Sequence, residues 1–238
     1  MANQSLRRQR APRLAVFDLD GTLVDSQHMI VAAMGEAFQA SNLAVPPTEA
    51  VRRVVGLSLG PAIAHLAPGL DAAGLGALEG RYKDAFFALR EAGEAELLFD
   101  GAIQALDALA VAGWDLGIAT GQSARGLKAT LKQLDLAGRF KTLQTADRGP
   151  GKPAPDMLHR AIAEAGAEAG ATVMIGDTSF DMAMAKAARV AALGVTWGYH
   201  QEYELVAAGA ARVIATFDDL HQAVDAMVPR GKAGTGGP

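Results

Sequence analysis

Short apolar runs alternate with longer stretches of helical spacing along most of the chain. Each run is rich in Val, Ile, Leu and Ala, and most are followed by a loop and then by apolar positions at i, i+3 and i+4. Near-continuous apolar runs are typical of strands buried on both faces, as in a parallel sheet covered by helices. The pattern therefore predicts an α/β fold with a doubly wound, Rossmann-like parallel sheet. The predicted strands are LAVFDL (14–19), WDLGIAT (114–120), FKTLQTA (140–146), TVMIGD (172–177), VAALGVT (190–196) and ARVIA (211–215).

The stretch between the first two runs follows a different pattern. Residues 26–96 contain Ala-rich segments of helical spacing, separated by Gly and Pro, and no run that predicts a strand. We therefore predict a catalytic core formed by residues 12–25 and 97–228, with the all-helical segment 26–96 inserted as a cap above the strand ends. The terminal segments 1–11 and 229–238 are predicted to be disordered tails.

The composition narrows the class of protein. Of the 238 residues, 50% are hydrophobic and 20% are charged, which suits a soluble globular protein. The net charge of −4 predicts neither a nucleic-acid nor a membrane partner, and the RRQR near the start is interpreted as a solvated segment. No apolar run approaches the roughly 18 residues of a membrane span, so we expect a cytoplasmic protein. Without cysteines, any metal site must use oxygen and nitrogen ligands.

Two pairs of carboxylates follow predicted strands. Asp18 and Asp20 end the first run and, being two positions apart in a strand, point the same way. Asp177 and Asp181 follow the run TVMIG, one helical turn apart. Simpler interpretations exist for single members, because Asp20-Gly21 is a typical turn and acids at a helix start stabilise it. They do not account for two pairs behind two strands.

Two further polar groups follow strand-like runs. Thr120 and Gly121 end the second run, where a hydroxyl and free backbone amides before a helix form an anion site. Lys152 lies in GKPAPD, where the following proline favours an extended loop. A Thr-Gly pair also makes an ordinary turn, and most lysines are solvated. Because such sheets bind ligands at the carboxyl ends of their strands, we expect these residues to share one rim with the four acids.

Four acids that converge beside one lysine require a cation. Neighbouring carboxylates resist joint ionisation, and a phosphate ester would add further negative charge. Mg²⁺ suits a few carboxylates together with phosphate and water, so we predict a Mg²⁺ site. All five histidines are expected to lie away from these strand ends, which argues against a Ser/His/Asp set. A carboxylate is then the predicted nucleophile, with a small phosphorylated metabolite as the partner.

The motifs DLDGT, ATGQS, GKPAPD and GDTSFD resemble, in this order, the four motifs of the haloacid dehalogenase superfamily. More narrowly, the chain resembles the phosphoglycolate phosphatase-like branch, which carries a helical cap. The resemblance implies that Asp18 attacks phosphorus, and that Asp20 protonates the leaving alcohol and then activates water. It also implies that Thr120, Gly121 and Lys152 bind the phosphate.

The same resemblance implies a ligand set for the metal. Asp18, Asp177 and the backbone carbonyl of Asp20 would hold Mg²⁺, and Asp181 would support its water shell. Asp25 has no such role and is expected to cap a helix or to form a hinge where the chain leaves for the cap.

The choice of substrate depends on the cap. VRRVVGLSLG resembles the substrate-facing segment of phosphoglycolate phosphatases, in which an Arg four positions before a Gly meets the substrate. Arg52 has this spacing to Gly56, which makes 2-phosphoglycolate the first predicted substrate. An interpretation of equal weight is that Arg52 and Arg53 form a solvated helix face.

Two alternative functions stay open. A phosphomutase of the β-phosphoglucomutase type shares these motifs, although Thr22 favours hydrolysis. A phosphoacceptor signalling module also combines acids, Mg²⁺, Thr and Lys, but the length of this chain and its long insert argue against it. In each case we expect a monomer or a homodimer.

Overall fold

A parallel sheet forms the centre of the structure, a computed structural model that describes residues 11–229. The strands are β1 (Arg13–Phe17), β2 (Val24–Asp25), β3 (Leu97–Leu98), β4 (Trp114–Ala119), β5 (Thr142–Gln144), β6 (Thr172–Gly176), β7 (Ala191–Val195) and β8 (Arg212–Ile214). Six of these form one sheet in the order β5-β4-β1-β6-β7-β8, and every neighbouring pair is parallel. β1 lies inside the sheet with β4 on one side and β6 on the other, so the motifs that follow these strands reach the same edge.

Helices cover both faces of this sheet and form a separate layer above it. They are α1 (Gln27–Ala40), α2 (Thr48–Val54), α3 (Leu59–Leu66), α4 (Ala72–Glu91), α5 (Ala102–Val111), α6 (Ala124–Gln133), α7 (Asp156–Ala165), α8 (Ser179–Ala187), α9 (Glu202–Ala208) and α10 (Leu220–Met227).

The alternation of side chains along β1 divides the core into two layers. Ala15 and Phe17 pack on one face with residues of α5, α6 and α10, whereas Leu14 and Val16 pack on the other with residues of α7, α8 and α9. All four side chains are fully buried. This two-sided burial explains why the run reads as continuously apolar rather than alternating.

The cap consists of α1 to α4 and has its own apolar cluster, which includes Met34, Phe38, Ile63 and Leu78. It is inserted between β2 and β3, two short strands that pair antiparallel with Val24 opposite Leu98. The two connections between cap and core therefore run side by side.

The predicted fold class is confirmed, with its parallel sheet and inserted helices. The structure also contains a ribbon formed by β2 and β3, which the sequence did not predict. Each of these strands has only two residues, too few to show an alternating pattern. Asp25 belongs to β2 while Ser26 is the N-cap of α1, so the helix-capping alternative for Asp25 is wrong and the hinge alternative stays a prediction. The exact domain boundaries stay predictions. The tails predicted at 1–11 and 229–238 lie outside the described residues, except for one residue each.

Among residues 11–229, none of the helices combines the length and the apolar character that crossing a bilayer requires.

Candidate active site

The first strand ends in the two carboxylates at the centre of the site. Asp18 is fixed by its backbone amide, which donates to the carbonyl of Ile175 on the neighbouring strand at 2.9 Å. Asp18 Oδ1 accepts a hydrogen bond from the amide of Leu19 at 2.7 Å, and the Leu19 side chain is fully buried. Gly21 follows with φ +86°, and a Cβ there would lie 2.3 Å from Asp177 Oδ2. The turn and the close approach both require glycine.

Lys152 joins the first and last motifs. Its Nζ lies 2.7 Å from Asp18 Oδ1 and 2.7 Å from Asp181 Oδ1, and all three side chains are almost completely buried. Burial alone would lower the pKa of Lys152, but the two carboxylates outweigh it and raise the pKa above its usual value. The ammonium group is therefore a fixed positive charge inside the site.

Asp177 is held by two donors from opposite sides. Thr22 Oγ1 donates to Asp177 Oδ1 at 2.7 Å, and the amide of Tyr199 donates to Oδ2 at 2.9 Å. Burial and the neighbouring Asp181 nevertheless raise the pKa of Asp177 to about 7. Burial likewise raises the pKa of Asp18 well above its usual value, against the effect of Lys152. Without a cation, these carboxylates resist joint ionisation.

The acidic cluster fits a divalent cation bound by oxygen. Asp18, Asp177 and Asp181 each offer a carboxylate oxygen, and these atoms lie within 4.8 Å of one another. Asp18 Oδ2 is buried and finds no hydrogen-bond partner among residues 11–229. A buried carboxylate oxygen left without a donor is costly, and an all-oxygen donor set of this size suits Mg²⁺.

Asp181 combines a structural role with its place in the site. Its Oδ2 accepts hydrogen bonds from the amide and the hydroxyl of Thr178, the N-cap of α8, at 3.1 and 2.6 Å. Thr178 and Asp181 thus form a capping box at the start of α8. The simpler interpretation, that an acid here stabilises the helix start, is therefore also correct for Asp181. Its second oxygen forms an ion pair with Lys152, which a cap alone does not require.

Asp20 depends on a residue that the sequence analysis did not single out. Gln122 Nε2 donates to both carboxylate oxygens of Asp20, at 3.0 and 2.9 Å. Burial raises the pKa of Asp20, and the hydrogen bonds from Ser26 and Gln122 oppose this shift. Gln122 lies inside the motif ATGQS, two positions after Thr120. Its place directly behind a strand end was a signal that could have identified it.

Gln122 is itself supported by a buried polar chain that reaches the base of the cap. Thr130 Oγ1 lies 3.5 Å from Gln122 Oε1 and 3.2 Å from Glu96 Oε2. The Glu96 side chain is fully buried and forms an ion pair with Arg90 at the end of α4. The orientation of Asp20 is thus tied to the segment where the cap rejoins the core.

The phosphate-binding candidates Thr120 and Gly121 lie on the same rim. Thr120 is fully buried, and its Oγ1 accepts a hydrogen bond from the amide of Gln122 at 3.2 Å. A Cβ on Gly121 would lie 2.4 Å from the carbonyl oxygen of Leu57, which belongs to the cap loop between α2 and α3. The glycine therefore lets the cap close directly onto this strand end.

A cavity of about 380 Å³ lies between the cap and the core. Asp18, Asp20, Gly121 and Gln122 line its core side, so the nucleophile and the acid/base candidates of the sequence analysis face the same space. The remaining wall comes mainly from the cap.

The two cap arginines lie elsewhere. Arg52 donates to Gln27, and its guanidinium lies 5.9 Å from the ring centre of Tyr199, whereas Arg53 forms an ion pair with Glu204 of α9. The cavity wall, as far as residues 11–229 form it, includes neither side chain. Binding of the substrate by Arg52 stays a prediction, and the contacts of Arg52 with Gln27 and Tyr199 do not favour it.

One expectation about the histidines is wrong. His200 is buried beside the end of β6, where its amide donates to the carbonyl of Asp177 at 3.3 Å and its Nδ1 accepts from the amide of Ser179 at 3.0 Å. Burial lowers the pKa of His200, which keeps the ring neutral as an acceptor. Its contacts support the loop that carries Asp177.

Comparison with known proteins agrees with this geometry. The model of the family described as haloacid dehalogenase-like hydrolase matches residues 15–195, which include all four motifs. The chain belongs to this family of hydrolases, and the resemblance drawn from the motifs is confirmed.

Individual relatives point to one branch of the family. The chain is 34% identical to "Probable phosphatase IndB" of Dickeya dadantii, over 90% of this chain and 94% of that protein. It is 32% identical to "Phosphoglycolate phosphatase" of Rhodospirillum rubrum, over 88% of each chain. Among solved structures, a hydrolase from Pseudomonas syringae superposes with a TM-score of 0.80 at 29% identity, covering 90% of this chain and 98% of that one.

Proposed function

We propose that the protein is a Mg²⁺-dependent phosphatase that hydrolyses a small phosphate monoester through an aspartyl-phosphate intermediate. The family and its phosphatase relatives support the broader statement that it is a phosphoric monoester hydrolase. The observation that carries the finer proposal is Asp18, whose unpartnered Oδ2 lies in an acidic cluster beside a lysine and at the edge of the cavity.

Asp18 is the proposed nucleophile of the first step. One carboxylate oxygen bonds to phosphorus as the bond from phosphorus to the leaving oxygen breaks, and Asp20 gives its proton to the departing alcohol. The raised pKa of Asp20 favours the protonated form that this step needs. Lys152 holds Asp18 in place through its 2.7 Å contact.

Water completes the reaction. Asp20, now a carboxylate, takes a proton from water as the water oxygen bonds to phosphorus and the bond to Asp18 breaks, which releases inorganic phosphate and restores both acids. Thr120, Gly121 and Lys152 are the groups that we propose to hold phosphate oxygens. Bound Mg²⁺ would be held by Asp18 and Asp177, with Asp181 in support, and would neutralise the negative charge of the acids and the phosphate.

The spacing of Arg52 and Gly56 in the cap and the relatives named phosphoglycolate phosphatase make 2-phosphoglycolate the first substrate to examine. Release of inorganic phosphate is measured from this ester, a nucleoside monophosphate, a sugar phosphate and pyrophosphate. We expect hydrolysis with Mg²⁺ and none with excess EDTA. Asp18→Asn is expected to lower kcat/KM by at least about 10⁴-fold, as removal of a nucleophile does elsewhere.

Asp25→Asn is the matched control, since Asp25 is an exposed acid of the ribbon outside the proposed machinery. Hydrolysis in EDTA, or an active Asp18→Asn protein, would contradict the proposal. Phosphate transfer to a second hydroxyl in excess of release would indicate a phosphomutase instead. A lasting aspartyl phosphate without turnover would indicate a phosphoacceptor module.

A further inference from the structure

One face of α4 forms an aromatic wall of the cavity. Glu79, Tyr82, Lys83, Phe86 and Phe87 all line it, and their spacing places them on a single side of the helix. Leu78, one turn before Tyr82, is the residue of α4 that packs fully into the cap. The rings of Phe86 and Phe87 remain only partly buried by the protein itself. Apolar surface is therefore left available inside the cavity.

The other cap helices extend this wall with aliphatic side chains, namely Ile30, Met34, Val51 and Leu59. The volume of about 380 Å³ falls in the range of about 300–1,000 Å³ that is typical of pockets for sizeable organic ligands. A two-carbon acid would leave most of this space unfilled.

The charges on the wall also disfavour an anionic leaving group. Within residues 11–229, Lys83 is the one cationic side chain that lines the cavity, and its Nζ is already paired with Glu79 Oε1 at 2.6 Å. The other charged group of the wall away from Asp18 and Asp20 is Asp147, a further acid. The guanidinium of Arg125 lies 4.4 Å from the ring centre of Phe87, but Arg125 is not among the described residues that line the cavity. Along the lining that residues 11–229 form, a substrate carboxylate would lose water without gaining an unpaired cation.

We infer that the cap selects the phosphate monoester of an uncharged alcohol with an aromatic or similarly apolar body, and not a short acid such as 2-phosphoglycolate. The inference rests on the proposed function, because the phosphate must sit at Asp18 for the body to reach α4. The ring would lie against Phe86 and Phe87, where burial of apolar surface contributes to binding.

The test compares kcat/KM for three esters with the intact protein and Mg²⁺: 2-phenylethyl phosphate, ethyl phosphate and 2-phosphoglycolate. We expect the phenylethyl ester to exceed each of the others by at least about tenfold, since a single methylene in a fitted apolar pocket can contribute that much. A smaller ratio, or a preference for 2-phosphoglycolate, overturns the inference and leaves the phosphatase proposal standing. Hydrolysis of none of them, nor of 4-nitrophenyl phosphate, overturns both.

A variant of the cavity wall tests whether α4 is responsible for the preference for the phenylethyl ester. Phe87→Ala is expected to lower kcat/KM for the phenylethyl ester about fivefold or more, and to leave ethyl phosphate within about twofold. Tyr203→Ala removes an aromatic side chain that is 67% exposed on α9 and should change neither value. Equal losses for both esters in Phe87→Ala would overturn the role of the α4 wall. Should the variant fail to fold, the ratio between esters for the unmodified protein still decides the inference.

Discussion

The two sides of the cavity are built on different principles. In the core, the acids of the candidate site have directed partners: Lys152 for Asp18, Gln122 for Asp20, and Thr22 for Asp177. On the cap side, the wall is mainly aromatic and aliphatic, and its charged pair Glu79 and Lys83 satisfies itself. The core holds reacting groups at fixed positions through short polar contacts, whereas the cap offers shape and apolar surface.

We therefore expect the core side to determine the rate of hydrolysis and the cap side to determine which ester is preferred. Changes on the core side should affect all esters whose leaving groups have similar chemistry, because in the proposed mechanism the same phosphate group and the same acids react in each. Changes on the cap side should alter the ratio between esters. Each prediction below tests one side of this division.

After the loss of Asp18 itself, the largest effect is expected from Gln122→Leu, which removes the donor to both oxygens of Asp20. Because the proposed acid loses its orientation, we expect kcat/KM for alkyl phosphates to fall about tenfold or more, which is part of the roughly 10²- to 10⁴-fold that general acid catalysis contributes. The loss should be several-fold smaller for 4-nitrophenyl phosphate, whose leaving group needs little protonation. Gln133→Leu, at an exposed glutamine near the end of α6, is the matched control.

Equal losses for alkyl and nitrophenyl esters would show that Gln122 acts on the phosphate or on the fold rather than through Asp20. Melting temperatures of both variants separate these two outcomes.

A smaller effect concerns stability and pH. Asp177 titrates near its ordinary value of 3.8 in the unfolded chain and at about 7 in the folded protein. The folded state then binds the proton more tightly, so the free energy of unfolding of metal-free protein falls as pH rises between these values. Mg²⁺ bound as proposed would stabilise the ionised form, and its stabilising effect should therefore grow with pH. We expect the rise in Tm on adding Mg²⁺ to be about 4 °C larger near pH 7.5 than near pH 5.

Asp177→Asn should abolish most of the pH dependence of the rise in Tm that Mg²⁺ causes. A Mg²⁺ effect on Tm that is the same at both pH values would contradict the assignment of the raised pKa to this cluster. Differential scanning fluorimetry with Mg²⁺ and with EDTA measures both quantities.

The smallest effect is expected from Arg52→Ala. Because its guanidinium contacts Gln27 and Tyr199, kcat/KM for 2-phosphoglycolate should change by less than about threefold. Arg53→Ala is the control, since Arg53 pairs with Glu204 outside the cavity. A loss of tenfold or more that is confined to Arg52→Ala and to the anionic ester would restore Arg52 as a substrate residue.

Much of the core was predictable because, in a strand, the spacing of two residues along the sequence determines whether their side chains point the same way. Asp18 and Asp20 share a direction through the two-residue period, and parallel strands bring their carboxyl ends to one edge. The four acids and Lys152 therefore needed only correct strand assignments, which short apolar runs provided.

The cap side was less predictable because helix spacing does not say which neighbour a helix face meets. Phe86 and Phe87 have the same sequence signature whether they pack in a core or line a cavity. His200 reaches the site through contacts with another segment of the chain, and a single sequence carries no record of such contacts. Gln122 follows a strand end, which places it near the site, but its pairing with Asp20, 102 positions away, cannot be read from the sequence.

The ribbon of β2 and β3 has a consequence for protein engineering. Asp25 and Leu97 are paired neighbours, so the cap leaves and re-enters the core at almost one point. An insert with adjacent ends can be exchanged for another without reshaping its host. We therefore expect the core to accept a different cap grafted between residues 25 and 97, and such grafts to alter which phosphate esters are hydrolysed.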